Sequence, residues 1–252
     1  MNESEQNKKE FYNKLNIKEL EVYAERGDAE AQFTLGYRYR YGKKAKKSFA
    51  KAIEWYTKAA EQGHSPAQNN LGVCYNHGKG VMKDHVKAVA WYTKAAEQGA
   101  DRAQYHLAKC YENGLGVKKD LKKAVEWYAK AAKQGYEGVQ RKLGKCFRDG
   151  KGVDKDLTKA VRWFSKSAEQ GDAFAEFYLG VCYERGEGVR RNYKKAVEWY
   201  TKAAEQGISE AQYNLAVFYE YGYGVKKNPA KAKEWYDKAA EHGGKDVRFG
   251  NT

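Results

Sequence analysis

The chain's six tryptophans stand at Trp55, Trp91, Trp127, Trp163, Trp199 and Trp235, one every 36 residues. Self-similarity at a fixed interval of about 20–50 residues is the mark of a stacked array of one small unit, and it constrains the fold more than any other feature here. The phrase around each tryptophan describes half of that unit. In Lys195-Ala-Val-Glu-Trp-Tyr-Thr-Lys-Ala-Ala-Glu-Gln-Gly207, residues Ala196, Trp199, Tyr200, Ala203 and Ala204 recur at helical spacing, so one stripe of an α-helix is apolar, with the tryptophan in it. Each such helix opens on a favoured N-cap (Ser48, Asp84, Asp120, Asp156, Asn192, Asn228) whose side chain accepts a bond from an otherwise orphaned N–H. Pro229 follows Asn228 at the first helical position, where a missing donor costs nothing. Each phrase closes on glycine, at Gly63, Gly99, Gly135, Gly171, Gly207 and Gly243, and Gly27 stands one period before the first of them.

A second helix precedes each of these. In one copy, Ala67, Leu71, Cys74 and Tyr75 share a face, with Ser65 as the expected N-cap and Pro66 at the first position. Gly72 sits on the packing side, where it lets the two helices approach closely. The helices are joined by Gly78-Lys-Gly80-Val81, echoed at 114–117, 150–153, 186–189 and 222–225. A single Gly-x-Gly suggests a phosphate loop, but five copies between helix pairs make it the turn.

These residues resemble the Sel-one-like repeat family, a branch of the tetratricopeptide-type helical solenoids. The resemblance implies an all-α fold, a right-handed α/α superhelical solenoid of six 36-residue helix-turn-helix repeats, over 28–63, 64–99, 100–135, 136–171, 172–207 and 208–243. It also implies a concave surface offered to partner proteins and a role as an adaptor or scaffold. The first repeat departs from the pattern: its turn reads Gly42-Lys43-Lys44-Ala45, and Arg38 stands where later repeats carry Cys74, Cys110, Cys146, Cys182 and Phe218. Its first turn is therefore expected to be looser or shaped for something else.

Outside the repeats, residues 1–9 are polar and aperiodic and are expected to be disordered. Residues 10–27 read as an N-terminal capping helix or two short ones, ending in Ala-Glu-Arg-Gly. The tail at 244–252 is too short to cover the last pair, so either Val247 and Phe249 fold back over it or that end is a contact surface for oligomerisation. No basic start followed by an apolar run marks a signal peptide, and no run approaches the length of a membrane span. The four cysteines occupy one equivalent site in successive repeats. Such sites lie roughly 8–10 Å apart on neighbouring helices, beyond the about 7 Å reach of a disulfide. Buried free thiols are expected, whereas extracellular members of the resembling family carry two cysteines per repeat. A cytoplasmic location follows as the expectation.

The formal net charge is +14, which raises nucleic acid as an alternative partner. Much of the lysine, however, recurs at solvent positions of the tryptophan helices, at Lys51, Lys58, Lys87, Lys94, Lys123 and Lys130, interleaved with Glu54, Glu61, Glu97 and Glu126. The first helix of each pair is expected to line the groove. Mapping its inward positions gives Phe33, Tyr37, Arg40 and Tyr41 in the first repeat, then Asn69, Val73, Asn76 and His77, then Arg102, Tyr105, Lys109 and Glu112. Arg141, Lys145, Arg148 and Asp149 follow, then Phe174, Phe177, Val181, Glu184, Tyr213, Val217 and Tyr221. A basic centre between aromatic ends suits an acidic peptide. The peptide-binding candidates are Phe33, Tyr37, Arg40, Tyr105, Lys109, Arg141, Lys145, Arg148, Phe177 and Tyr213.

Histidines His64, His77, His85, His106 and His242 have no serine or cysteine partner at a catalytic spacing, and no metal-ligand cluster is legible. The expectation is a binding protein that works without cofactor or chemistry. An RNA- or DNA-binding solenoid is the alternative, and steep salt dependence would distinguish it.

Overall fold

The computed structural model describes residues 3–136 and 138–241, which form fourteen α-helices with no strand among them. The closing Gly243, His242 and the tail with Val247 and Phe249 lie outside the described residues. The chain divides into two compact units between Gln134 and Gly135. The first contains α1 (Glu3–Lys14), α2 (Ile17–Glu25), α3 (Ala29–Tyr41), α4 (Phe49–Glu61), α5 (Ser65–His77), α6 (His85–Glu97), α7 (Asp101–Asn113) and α8 (Leu121–Lys133). The second contains α9 (Val139–Asp149), α10 (Leu157–Ala168), α11 (Ala173–Arg185), α12 (Tyr193–Glu205), α13 (Ser209–Tyr221) and α14 (Pro229–Glu241). In each unit the helices pack as successive pairs, α3 with α4 through α7 with α8, and α9 with α10 through α13 with α14. The leading helix of a pair is called A below and the tryptophan helix B.

The caps of the B helices stand where the sequence placed them. Ser48, Asp84, Asp120, Asp156 and Asn192 each accept from the N–H three residues on, at 2.8–3.3 Å, and Asn228 does so at 3.0 Å. For α5 the cap is one residue earlier than expected. His64, not Ser65, is the N-cap, its Nδ1 accepting from the Ala67 N–H at 3.2 Å, and Pro66 falls within the first turn.

The tryptophan is not the side chain that seals each pair. Trp55 is buried, but Trp91, Trp127, Trp163, Trp199 and Trp235 are partly exposed, while the next residue (Tyr56, Tyr92, Tyr128, Phe164 or Tyr200) is at most 1% exposed. In four of these pairs the A-helix residue under the ring is a glycine, Gly36, Gly72, Gly144 or Gly180, and in the third repeat it is the small Ala108. A Cβ at Gly72 would stand 2.7 Å from the Tyr92 ring, so the ring lies flat on bare backbone, with no room for a side chain. Trp91, Trp127, Trp199 and Trp235 instead pack toward the preceding repeat: Trp91 against the cluster holding Tyr56 and Leu71, and Trp235 against that holding Tyr200 and Leu215. The tryptophan's outer face carries a lysine ammonium, at 4.0 Å for Lys58 on Trp55 and 3.7 Å for Lys130 on Trp127. Such cation–π contacts contribute about 0.5–1 kcal/mol at exposed sites.

Two further devices join one repeat to the next. Gln68 donates to the carbonyl of Ala60 at 3.0 Å and accepts from Gln98 at 2.7 Å, and Gln32 and Gln104 repeat the relay. In the second unit Glu176 takes the acceptor role for Gln206 at 2.7 Å. The second glycine of the turn lies on the start of the preceding B helix: at Gly80, with φ +78°, a Cβ would stand 2.6 Å from that of Phe49. The first repeat has no such helix before it, and there Lys44 holds the left-handed conformation at φ 59°.

The first repeat's other departures now have a use. Arg38 donates to the carbonyls of Tyr12 and Leu15 at 2.8 Å each, and Lys44 Nζ to that of Asn13 at 3.0 Å. Both cations hold the C-terminal end of α1, where carbonyls lack helical partners. Residues 3–9, expected to be disordered, are accordingly part of α1, and the expected capping segment forms the remainder of α1 together with α2. Lys8 adds an ion pair to Asp28 at 2.6 Å, and Tyr12 is 4% exposed. Aperiodic polarity concealed this helix because its anchors sit in another element.

Cys74, Cys110, Cys146 and Cys182 are free and buried. Among the described residues no helix is long and apolar enough to cross a membrane.

Candidate functional site

The A helices repeat their surface positions every 36 residues, and each register has a distinct environment. The register of Phe33, Tyr105, Phe177 and Tyr213 lies against the aromatic ring of its own B helix, with ring centroids 5.9 Å apart for Phe33 and Tyr56 and 5.3 Å for Tyr213 and Tyr236. Tyr105 meets Tyr128 at 6.0 Å and Phe177 meets Tyr200 at the same distance. Phe177 is 7% exposed and belongs to the core, so its side chain is not offered to a partner as expected. Val217, also mapped to the groove, is 1% exposed.

Seven residues beyond Phe33 is the register of Arg40, where the third, fifth and sixth repeats carry a glutamate bonded to the hydroxyl of the B-helix tyrosine, while the Tyr56 hydroxyl of the first repeat has no hydrogen-bond partner among the described residues. Glu112 accepts from Tyr128 at 2.8 Å, Glu220 from Tyr236 at 2.6 Å, and Glu184 from Tyr200. These glutamates are satisfied structural partners, held 16 residues ahead of their tyrosine. In the fourth repeat the acceptor is replaced by Arg148, and the aromatic is Phe164, which has no hydroxyl to satisfy. Arg40 itself is 9% exposed, more enclosed than a groove-lining cation was expected to be.

Four residues beyond Phe33 is the register of Tyr37, Lys109 and Lys145. Here side chains reach outward. Lys109 is exposed, with its ammonium 5.7 Å from the Tyr105 ring, and Lys43 lies 5.4 Å over Tyr37.

The fourth repeat's three cations share one face of α9, and they converge on aromatic rings of α11. Arg141 lies 5.1 Å over Phe174, while Lys145 and Arg148 lie 5.7 and 4.8 Å from Tyr178. Two of them are already engaged by acids: Arg141 Nε donates to Asp172 at 2.8 Å and Arg148 Nε to Asp149 at 2.7 Å. The neighbouring Arg148 holds the Asp149 carboxyl below its usual range against the opposing effect of burial. Asp172 also caps α11 through the N–H groups of Phe174 and Ala175. Arg141 therefore belongs partly to the fold, and Lys145 is the cation of the three without an ion-pair partner among the described residues. Tyr178, which organises them, was not among the expected site residues. Its sequence signal is faint, since it is an aromatic on the flank of a helix rather than in a repeated inward register.

Helix pairs in close contact at a register of small residues, Gly36, Gly72, Ala108, Gly144, Gly180 and Ala216, with variable A-helix faces, define a helical-repeat protein of the tetratricopeptide type. The Sel1 repeat model matches residues 29–64, 65–99, 101–136, 139–172, 173–208 and 209–244, and the chain belongs to that family. It is similar to a protective antigen present in uropathogenic Escherichia coli strains and displaying an SLR fold, at 40% identity and a TM-score of 0.86. That alignment covers 91% of this chain and 49% of the antigen, so the chain spans about half of that protein's length. It is also similar to a Sel1 repeat protein from Oxalobacter formigenes, at 37% identity and a TM-score of 0.69, covering 84% of this chain and 85% of the other. Among curated proteins none matches the chain. Sel1-repeat proteins generally mediate protein–protein interactions.

Proposed function

We propose that this chain is a non-catalytic interaction module holding an extended, acidic segment of a partner protein on the A-helix faces of its repeats. The observation that supports it is the pairing of cations with aromatic rings on those faces: Lys43 with Tyr37, Lys109 with Tyr105, and Lys145 and Arg148 with Tyr178. A carboxylate meets such a cation from the open side while neighbouring side chains rest on the ring, so charge and apolar contact are supplied together. The first unit carries two of these pairs, in its first and third repeats, and the second unit carries one cluster between α9 and α11; separate small contacts of this kind suit an extended ligand better than a compact one.

Short peptides rich in glutamate, in serine or in lysine, together with a single-stranded RNA, are titrated into the chain at several salt concentrations. Acidic peptides are expected to bind tightest, and Lys145→Glu to weaken them without lowering the melting temperature. Equal affinity for lysine-rich peptides, or capture of the RNA with a steep salt dependence, would reject this reading.

A further inference from the structure

Helices α3 and α5 and the first turn of α7 enclose a pocket of about 270 Å³ in the first unit. Clefts for whole cofactors or drug-sized ligands occupy about 300–1,000 Å³, so this space is on the scale of one large side chain. Its walls divide by chemistry. Phe33, Tyr37 and Tyr41 of α3 and Pro66 of α5 make one side apolar, while Asn69 and Arg102 bring polar groups to it. The aromatic wall is held in place: Tyr37 and Tyr41 have centroids 4.6 Å apart, and Phe33 lies 4.8 Å from the His64 ring. Tyr41 is nonetheless 51% exposed, a large apolar surface left open beside a cavity.

One enclosed polar group in the pocket wall lacks a partner among the described residues, and a second lies beside Tyr41 outside the wall. Asn69 is 7% exposed and its side-chain oxygen accepts no hydrogen bond; Arg40, stacked 5.1 Å over Tyr41, is 9% exposed and its Nη1 donates none. A buried polar group left unpaired costs about 1–3 kcal/mol, which a ligand bringing the missing partner recovers. The rim carries two cations, Arg102 and Lys43, against one carboxylate, Asp101. Arg102 is exposed on the rim, Lys43 lies over Tyr37, and the carboxylate of Asp101 is 2.7 Å from the Arg102 N–H. The first repeat also differs from all the others in having three aromatics at these registers; the second has Asn69, Val73 and His77, and the fourth Arg141, Lys145 and Asp149.

We propose that this pocket receives one aromatic or large aliphatic side chain of the partner segment, with a main-chain N–H of that segment on Asn69 and an adjoining aspartate or glutamate on Arg102. The inference rests on the peptide-binding reading above and names a subsite within it.

The test uses the full chain and synthetic peptides with a central Phe, Trp, Leu or Ala flanked by Glu, Ser or Lys. They are titrated into wild type, Tyr41→Ala and Arg102→Ser. Both side chains are exposed, so both variants are expected to fold, as thermal melting by circular dichroism would verify. Wild type is expected to bind Phe–Glu or Trp–Glu peptides at least about tenfold tighter than Ala–Glu peptides, a difference of about 1.4 kcal/mol. Tyr41→Ala removes that preference for a large side chain. Arg102→Ser removes the preference for Glu over Lys and leaves the other intact. Acidic peptides that bind with no advantage from the central residue, or an advantage that survives Tyr41→Ala, overturn the pocket while the peptide-binding reading stands. Failure of every peptide class to bind wild type overturns both.

Discussion

Nη2 of Arg38 stands 2.8 Å from the carbonyl oxygen of Tyr12, a contact across 26 residues that ties the first repeat to the helix before it. Because Arg38 is 4% exposed and also holds Leu15 and Asn13, its loss removes the guanidinium donor from the Tyr12 carbonyl and leaves those of Asn13 and Leu15 to Lys44 alone. Arg38→Cys restores the residue of the later repeats, yet it is expected to release α1. Hydrogen exchange should accelerate across residues 3–14 and remain slow in α5–α7. Unchanged protection of α1 would show that this guanidinium does not hold it.

Adjacent aromatics of one helix should differ in energetic weight. Tyr92 is 1% exposed and lies on Gly72, whereas Trp91 is partly exposed and bridges to the preceding repeat. Tyr92→Ala is expected to lose roughly 3–5 kcal/mol, in the range for deleting a buried aromatic. Trp91→Ala should lose about 1–2 kcal/mol, as ordinary substitutions do. Urea denaturation of both variants ranks them, and a larger loss for Trp91 would restore the tryptophan as the anchor.

The thiols should be unreactive in the folded chain. Burial raises the pKa of Cys110 to about 11 and that of Cys182 to about 12, and raises that of Cys74 as well. The nucleophilic thiolate is then scarce at neutral pH as well as enclosed. A maleimide is expected to label the native chain slowly and all four cysteines after denaturation; rapid native labelling of Cys110 would contradict its packing.

Acid should weaken the first unit through His106. Its ring stacks on Tyr92 at 5.0 Å, and burial, reinforced by Lys109, His77 and Arg102, lowers its pKa from 6.5 to about 4. Between those two values the unfolded chain binds more protons than the folded one. Stability therefore falls as pH drops from about 6.5 to about 4 and is recovered on returning above that window. Melting temperatures recorded across it should decline in wild type and decline less in His106→Gln. Parallel declines would assign the effect to other groups, among them His77, whose pKa burial and the neighbouring lysines also lower.

What the sequence determined by itself was everything that depends on local chemistry repeated in register. Helix caps such as Asp84 and Asn192, the turn glycines, the closeness of pairs at Gly72 and the buried cysteines all follow from residue type and spacing, because backbone hydrogen bonding and sterics act over a few residues. Tertiary structure decided which of two adjacent apolar residues goes inside. Trp199 and Tyr200 share one stripe, and the bare backbone of Gly180 on the facing helix leaves the space that the tyrosine fills. It likewise decided the fate of charges. Arg141 and Lys145 read alike at a spacing of four, but Asp172, 31 residues from Arg141, engages the arginine, while the lysine has no ion-pair partner among the described residues. Arg38 and Lys44 read as lapses in a repeat and proved to be the dock for α1. Each of these outcomes is set by a partner distant in sequence, and one-dimensional spacing carries no record of who that partner is.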